Sequence, residues 1–212
     1  IGAARAFATC TLPLRDFKAV AAACEATIND LLLATCSGAL RQYLAGHHEL
    51  PKRSLVAAVP LSLRESGDSA AGNQVTMLPC PLGTDQKTPR ARLAAIQAGM
   101  TKVKGTKTSF RDLIPTDYPS LGSPWLMSGL AQLYARTRLA DRIPSPANLV
   151  LSNVPGPPVT LYLAGARMTT YFPVSIVVHG LALNITVHSY DGKLHLGLIA
   201  CRKNVPDLPK LV

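Results

Sequence analysis

Five histidines, five cysteines and two short Asn- and Ser-bearing segments are the residues of this chain with chemistry to offer. His47 and His48 are adjacent, a pattern that can mark a general base or a metal site, but they follow Gly46 and precede Glu49, Leu50 and Pro51. That context is a helix end, where the dipole favours histidine and no further role is needed. His179, His188 and His195 fall in or beside runs that read as strands. A general base also needs an orienting partner and an accessible pocket, which spacing alone does not supply. Cys10, Cys24, Cys36, Cys80 and Cys201 are odd in number and contain no CxxC pair, so neither a disulfide framework nor a zinc site is indicated, and a reducing cytoplasm fits best. The chain has no GxSxG elbow, Walker loop, GxGxxG or HExxH.

The amide and hydroxyl side chains are more informative. Asn29 and Asp30 precede three leucines at the start of a helix. Asp30 has a structural job as a capping carboxylate, whereas the helix does not need Asn at position 29. Ser152, Asn153, Val154, Pro155, Gly156 and Pro157 carry a strand end into a Pro/Gly-rich loop. Donors presented there can serve a developing oxyanion, although Ser and Asn are also common at turns for local reasons.

These residues must be positioned by a helix-rich first half and a strand-rich second half. Leu14 to Ala23 reads as a short helix; Thr27 caps the next, with Asp30 completing a capping box, through about Leu44. Leu55 to Leu63 and Val75 to Leu82 read as strands, the second with Pro79 and Pro81 that suggest an edge or an irregular end. Thr88-Pro89 opens an amphipathic helix to about Val103, and Pro124 to Leu139 reads as another. Strands are expected at Asn148 to Asn153, Ala166 to Tyr171, Ser175 to His179, Leu183 to Tyr190 and Leu194 to Cys201, with Asp191-Gly192 as a hairpin turn. The expected fold class is α/β, an α+β sandwich around one mixed sheet.

Charge is unevenly spread over this framework. Lys and Arg number 22 against 12 Asp and Glu, for a net +10, yet only 16% of the 212 residues are charged, against about 25% in an average domain. From Ile143 to Tyr190 the one formal charge is Arg167. Such an apolar excess points to membrane contact or to a surface normally covered by a partner. It is not a membrane span: Met168 to Tyr190 is interrupted by Pro173, Gly180 and Asn184, and Val, Ile and Thr dominate. In contrast, Lys87 to Arg111 holds seven basic residues and no acid. That block suits phosphate on coenzyme A, an anionic membrane or nucleic acid, or simply a solvated helix face; its single aromatic, Phe110, argues against base stacking.

Thr27-Ile-Asn-Asp-Leu-Leu-Leu-Ala34, Ser37-Gly-Ala-Leu-Arg-Gln-Tyr-Leu44, Val59-Pro-Leu-Ser-Leu-Arg64, Gly72-Asn73, Leu151-Ser-Asn-Val-Pro-Gly-Pro157, Leu161-Tyr-Leu-Ala-Gly-Ala166, Pro173-Val-Ser-Ile176 and Leu181-Ala-Leu-Asn-Ile-Thr186 occur in this order and span nearly the whole sequence. Together they resemble the C-terminal half of the bacterial wax ester synthase/diacylglycerol acyltransferase family. The resemblance implies a chloramphenicol acetyltransferase-like domain, with residues 1–212 forming the C-terminal one of two. It also implies transfer of a fatty acyl group from long-chain acyl-CoA, a cosubstrate rather than a bound cofactor, to diacylglycerol or a long-chain alcohol.

The family signature HHxxxDG, whose second histidine is taken as the general base, belongs to the N-terminal half. His47-His48-Glu-Leu-Pro-Lys-Arg53 lacks its Asp-Gly. No catalytic base is therefore expected among these residues. The resemblance makes Ser152 and Asn153 candidate oxyanion donors and Asn29 and Asp30 supports of the active centre, with Arg64, Asn73 and Gly156 as substrate-binding positions. The expected partners are the N-terminal half, acyl-CoA, the acyl acceptor and a membrane or lipid-inclusion surface, in the cytoplasm and without nucleic acid or metal. A lipid- or CoA-binding module without catalysis is the alternative, and a basic nucleic-acid-binding domain a third.

Overall fold

The computed structural model describes residues 2–62, 75–111 and 145–212. Its elements are β1 (Arg5–Pro13), α1 (Leu14–Ala23), α2 (Ile28–Gly46), β2 (Val56–Ser62), β3 (Val75–Pro81), α3 (Pro89–Arg111), β4 (Leu149–Val154), β5 (Tyr162–Leu163), β6 (Ala166–Arg167), β7 (Leu183–Tyr190) and β8 (Lys193–Cys201), closed by a 3-10 turn at Leu208–Leu211. Six strands form one mixed sheet in the order β1-β8-β7-β4-β2-β3, while β5 and β6 make a separate small hairpin. β2, β4 and β7 run parallel at the centre, and the outer pairings are antiparallel. This is the expected mixed sheet with flanking helices.

Local signals explain most element ends. Thr27 accepts from the Asp30 N–H at 3.1 Å and Asp30 Oδ2 accepts from the Thr27 N–H at 3.1 Å, so the capping box forms as its spacing predicts. Thr88 Oγ1 accepts from the Ala91 N–H at the start of α3. Asp191 and Gly192 turn β7 into β8 with φ of 45° and 74°, as a two-residue hairpin turn of the primed type requires.

The two faces of the sheet differ. Ala57 and Val59 of β2, Leu149 and Leu151 of β4, and Ile185 and Val187 of β7 pack with Leu32, Leu33, Cys36 and Leu40 of α2 and Ile96 and Met100 of α3. Each large apolar side chain buried there contributes roughly 1.5–3 kcal/mol. Alternation sends the intervening residues to the other face, where no described helix covers them.

Several expectations change. β1, which pairs with β8 along its whole length, was not anticipated. Ala166 to Tyr171 yields only the two-residue β6, and Ser175 to His179 is not a strand; Val178 makes an isolated bridge to Leu181. These residues have the Val/Ile/Thr composition of strands but cross the sheet face instead of joining its edge. α3 extends to Arg111, beyond the expected end at Val103. Within the basic block Arg92 is buried rather than solvated, donating to the carbonyls of Gln86 and Lys87. Burial, then the nearby Arg41, lowers its pKa. The helix expected at Pro124 to Leu139, and the candidate positions Arg64 and Asn73, lie outside the described residues.

Candidate active site

The sheet face opposite α2 and α3 forms the floor of a groove of about 1180 Å³. Its floor comes from alternate positions on the three parallel strands: Ala58 and Pro60, Val150 and Ser152, Thr186 and His188. The wall is the segment from Tyr171 to Leu181, which lies over the sheet as a strap. No Asp, Glu, Lys or Arg is among the described residues that line the groove. The nearly uncharged stretch from Ile143 to Tyr190 thus supplies most of an uncharged surface.

Three devices hold the strap down. Asn184, only 4% exposed, donates from Nδ2 to Ser175 Oγ at 3.0 Å and to the Ile176 carbonyl at 2.9 Å, while its Oδ1 accepts from Thr186 Oγ1 at 3.0 Å. The Tyr171 ring packs against His188 at 4.8 Å, tilted by 41°, and Phe172 meets His195 edge-on at 5.3 Å. Finally, the Pro173 carbonyl approaches Gly197 so closely that an added Cβ would overlap it. Only glycine lets the chain cross β8 at that height.

The site residues expected from the sequence are divided between the two faces. Ser152 pairs in register with Thr186 and lines the groove. Asn153 pairs with Val187, which is fully buried in the helix-side core, so its side chain is on the opposite side. Asn29 and Asp30 also belong to the helix side. Asp30 is buried and spends its carboxylate on Thr27, with its charge close enough to Cys80 to add to the burial that pushes that thiol up to about 11. Among the described residues no hydrogen bond joins Asn29 or Asp30 to Ser152 or Asn153. Gly156 has a packing role: its N–H donates to Ser189 Oγ at 3.0 Å, and a Cβ there would overlap the Ser189 carbonyl.

His47 behaves as a helix-end residue, capping α2 and standing 3.2 Å from Asp207 Oδ2. Asp207 also accepts from Tyr43 and pairs with Lys210, and these contacts hold its carboxyl down to about 2. Arg167 finds its partner in Asp191 at 3.0 Å, and Tyr190 Oη, accepting from the Leu161 N–H and donating to the Met168 carbonyl, clasps the β5–β6 hairpin. Sequence reasoning missed Asn184 and His188 as parts of the groove. Their spacing on alternate positions of β7 was a signal, but only for a face whose covering was unknown. No group of three or more His, Cys, Asp or Glu among the described residues could hold a metal. Nor is any single described helix long and apolar enough to cross a membrane.

The WS/DGAT C-terminal domain model matches residues 71–212. A Mycobacterium tuberculosis protein provisionally named a diacylglycerol O-acyltransferase is 40% identical over 98% of this chain and 41% of its own length. The O-acyltransferase WSD of Acinetobacter baylyi is 39% identical over all of this chain and 45% of its own. The structure of a wax ester synthase/diacylglycerol acyltransferase from Marinobacter aquaeolei VT8 superposes with a TM-score of 0.75 at 33% identity, covering 98% of this chain and 45% of that one. The chain therefore spans less than half the length of these relatives.

Proposed function

The chain belongs to the WS/DGAT C-terminal domain family, and from that premise we propose that it is the C-terminal half of an acyltransferase moving a fatty acyl group from acyl-CoA to diacylglycerol or a long-chain alcohol. The observation that carries this reading is the groove on the sheet face opposite α2 and α3, whose described lining residues include no Asp, Glu, Lys or Arg. A hydrocarbon chain gains from burial against Ala58, Val150 and Val154, and no charge on the described lining residues would have to be desolvated to receive it.

The general base would be supplied by the N-terminal half, packed against the apolar surface that Val174, Ile176 and Leu163 leave exposed. That base takes the proton of the acceptor hydroxyl. The oxygen attacks the thioester carbonyl, and the tetrahedral oxyanion collapses to ester, expelling the coenzyme A thiolate, which recovers the proton. Ser152 is the better-placed oxyanion donor, because its hydroxyl is on the groove side; Asn153, at the strand end, would have to reach the reacting carbonyl from the other face. Asn29 acts as a support from the first turn of α2. The enzyme would work in the cytoplasm at a membrane or lipid-inclusion surface, where its acceptors dissolve, with the exposed Lys87 and Arg90 available to anionic headgroups.

The test is an acyl-transfer assay on the intact protein with long-chain acyl-CoA and either acceptor. Ser152→Ala should lower kcat by about 10²–10³-fold if its hydroxyl serves the oxyanion. Residues 1–212 alone should be inactive. Absence of transfer from the intact protein to any alcohol or glyceride would refute the assignment.

A further inference from the structure

His188 is a polar group of the groove that the reaction above does not use. It stands on β7 two residues beyond Thr186 and opposite Val154 of β4. Its Nδ1 is sealed from solvent and has no hydrogen-bond partner among the described residues. Gly156 closes that side, with an added Cβ 3.4 Å from Nδ1. Since the ring still lines the groove, the edge it presents there is the Nε2 edge. A buried N–H left without an acceptor is rarer than an unfilled lone pair, which places the bare lone pair at Nδ1 and the proton at Nε2. Burial also lowers the pKa of His188, keeping the ring neutral. The groove therefore offers an uncharged N–H donor on the same floor as the Ser152 hydroxyl.

We propose that His188 Nε2–H donates to an ester carbonyl of a diacylglycerol seated in the groove, and so biases acceptor choice toward the glyceride over a simple long-chain alcohol. This rests on the acyltransferase reading. A fatty alcohol has one oxygen, which is needed at the reacting centre, and its chain would cover the N–H without satisfying it. A diacylglycerol brings two further ester carbonyls. The ligand is a neutral lipid and not a phospholipid, because no cation among the described residues lines the groove to meet a phosphate. At about 1180 Å³ the groove also exceeds the roughly 1,000 Å³ that bounds drug-sized sites, leaving room for a branched lipid.

The test uses the intact protein and two variants: His188→Phe, which keeps a ring against Tyr171 but removes the N–H, and His188→Gln, which restores a donor. Calorimetric titration with 1,2-dioctanoylglycerol and with octan-1-ol is followed by transfer kinetics with both acceptor classes. His188→Phe should raise the Kd for the glyceride, and lower its kcat/KM, by about three- to tenfold, the worth of one neutral hydrogen bond. Values for the alcohol should hold, and His188→Gln should recover most of the loss. Equal losses for both acceptors, no change for either, or no glyceride binding by the unsubstituted protein would overturn the proposal. Selective binding without transfer to any acceptor would instead uphold the His188 contact and remove the acyltransferase reading beneath it.

Discussion

His188 of β7 and His195 of β8 stand directly opposite one another in the antiparallel register, and each keeps one ring nitrogen buried without a partner. His195 is fully buried and reaches Thr11 Oγ1 of β1 through Nδ1 at 3.1 Å. The strap covers both through Tyr171 and Phe172. A half-buried and a fully buried histidine thus lie side by side where the strap crosses the sheet.

Stability should fall as pH is lowered through the histidine range. Burial depresses the pKa of both rings below the ordinary 6.5, and Lys193 adds to the effect at His195. The unfolded chain therefore takes up protons first: their full contribution is present above about 6.5 and is lost as the pH drops toward the depressed values. Denaturant midpoints at pH 8, 7, 6 and 5 would show it, and His195→Phe should flatten the profile. An unchanged midpoint from pH 8 to 5 in the unsubstituted protein contradicts it. The carboxyl of Asp207, held to about 2, titrates in a separate and lower window.

Asn184→Leu should release the strap. Loss of the amide strands the Ile176 carbonyl and the Thr186 hydroxyl, at a cost of about 1–3 kcal/mol. Limited chymotrypsin digestion should then cut after Tyr171 much faster than in the unsubstituted protein. Equal cutting rates would show that the strap is held without Asn184.

At the start of α2, neighbouring substitutions should separate structure from function. Asp30→Ala breaks the reciprocal cap with Thr27 and should cost about 0.5–2 kcal/mol in a denaturation midpoint. Asn29→Ala leaves that cap intact, so it should change stability by less than about 0.5 kcal/mol while lowering acyl transfer. If Asn29→Ala preserves full activity, Asn29 is not a support of the active centre.

Gly197→Ala should be among the most disruptive single-methyl changes on the sheet. The new Cβ would overlap the Pro173 carbonyl, and overpacking of this kind costs about 1–3 kcal/mol. Because the strap must lift to admit it, glyceride binding should weaken together with the melting temperature. A variant with unaltered binding would show that the strap does not shape the groove.

Features decided by neighbours in the chain were legible without coordinates. The Thr27-Asp30 cap, the Asp191-Gly192 turn and the alternating runs on either side of it depend on interactions a few residues long, and all formed where expected. The lack of charge from Ile143 to Tyr190 likewise announced an apolar surface. Tertiary structure alone decided what that surface faces. Ser152 and Asn153 must point to opposite sides of any strand, but which side carries helices and which carries the groove depends on where α2 and α3 dock. Strand-like composition at Ser175 to His179 says that these residues suit a sheet, not that an edge is free to pair with them. Here Asn184 takes the nearby Ile176 carbonyl instead. His188 acquired its meaning the same way, because which ring nitrogen faces a cavity and which is sealed is set by segments distant in the chain.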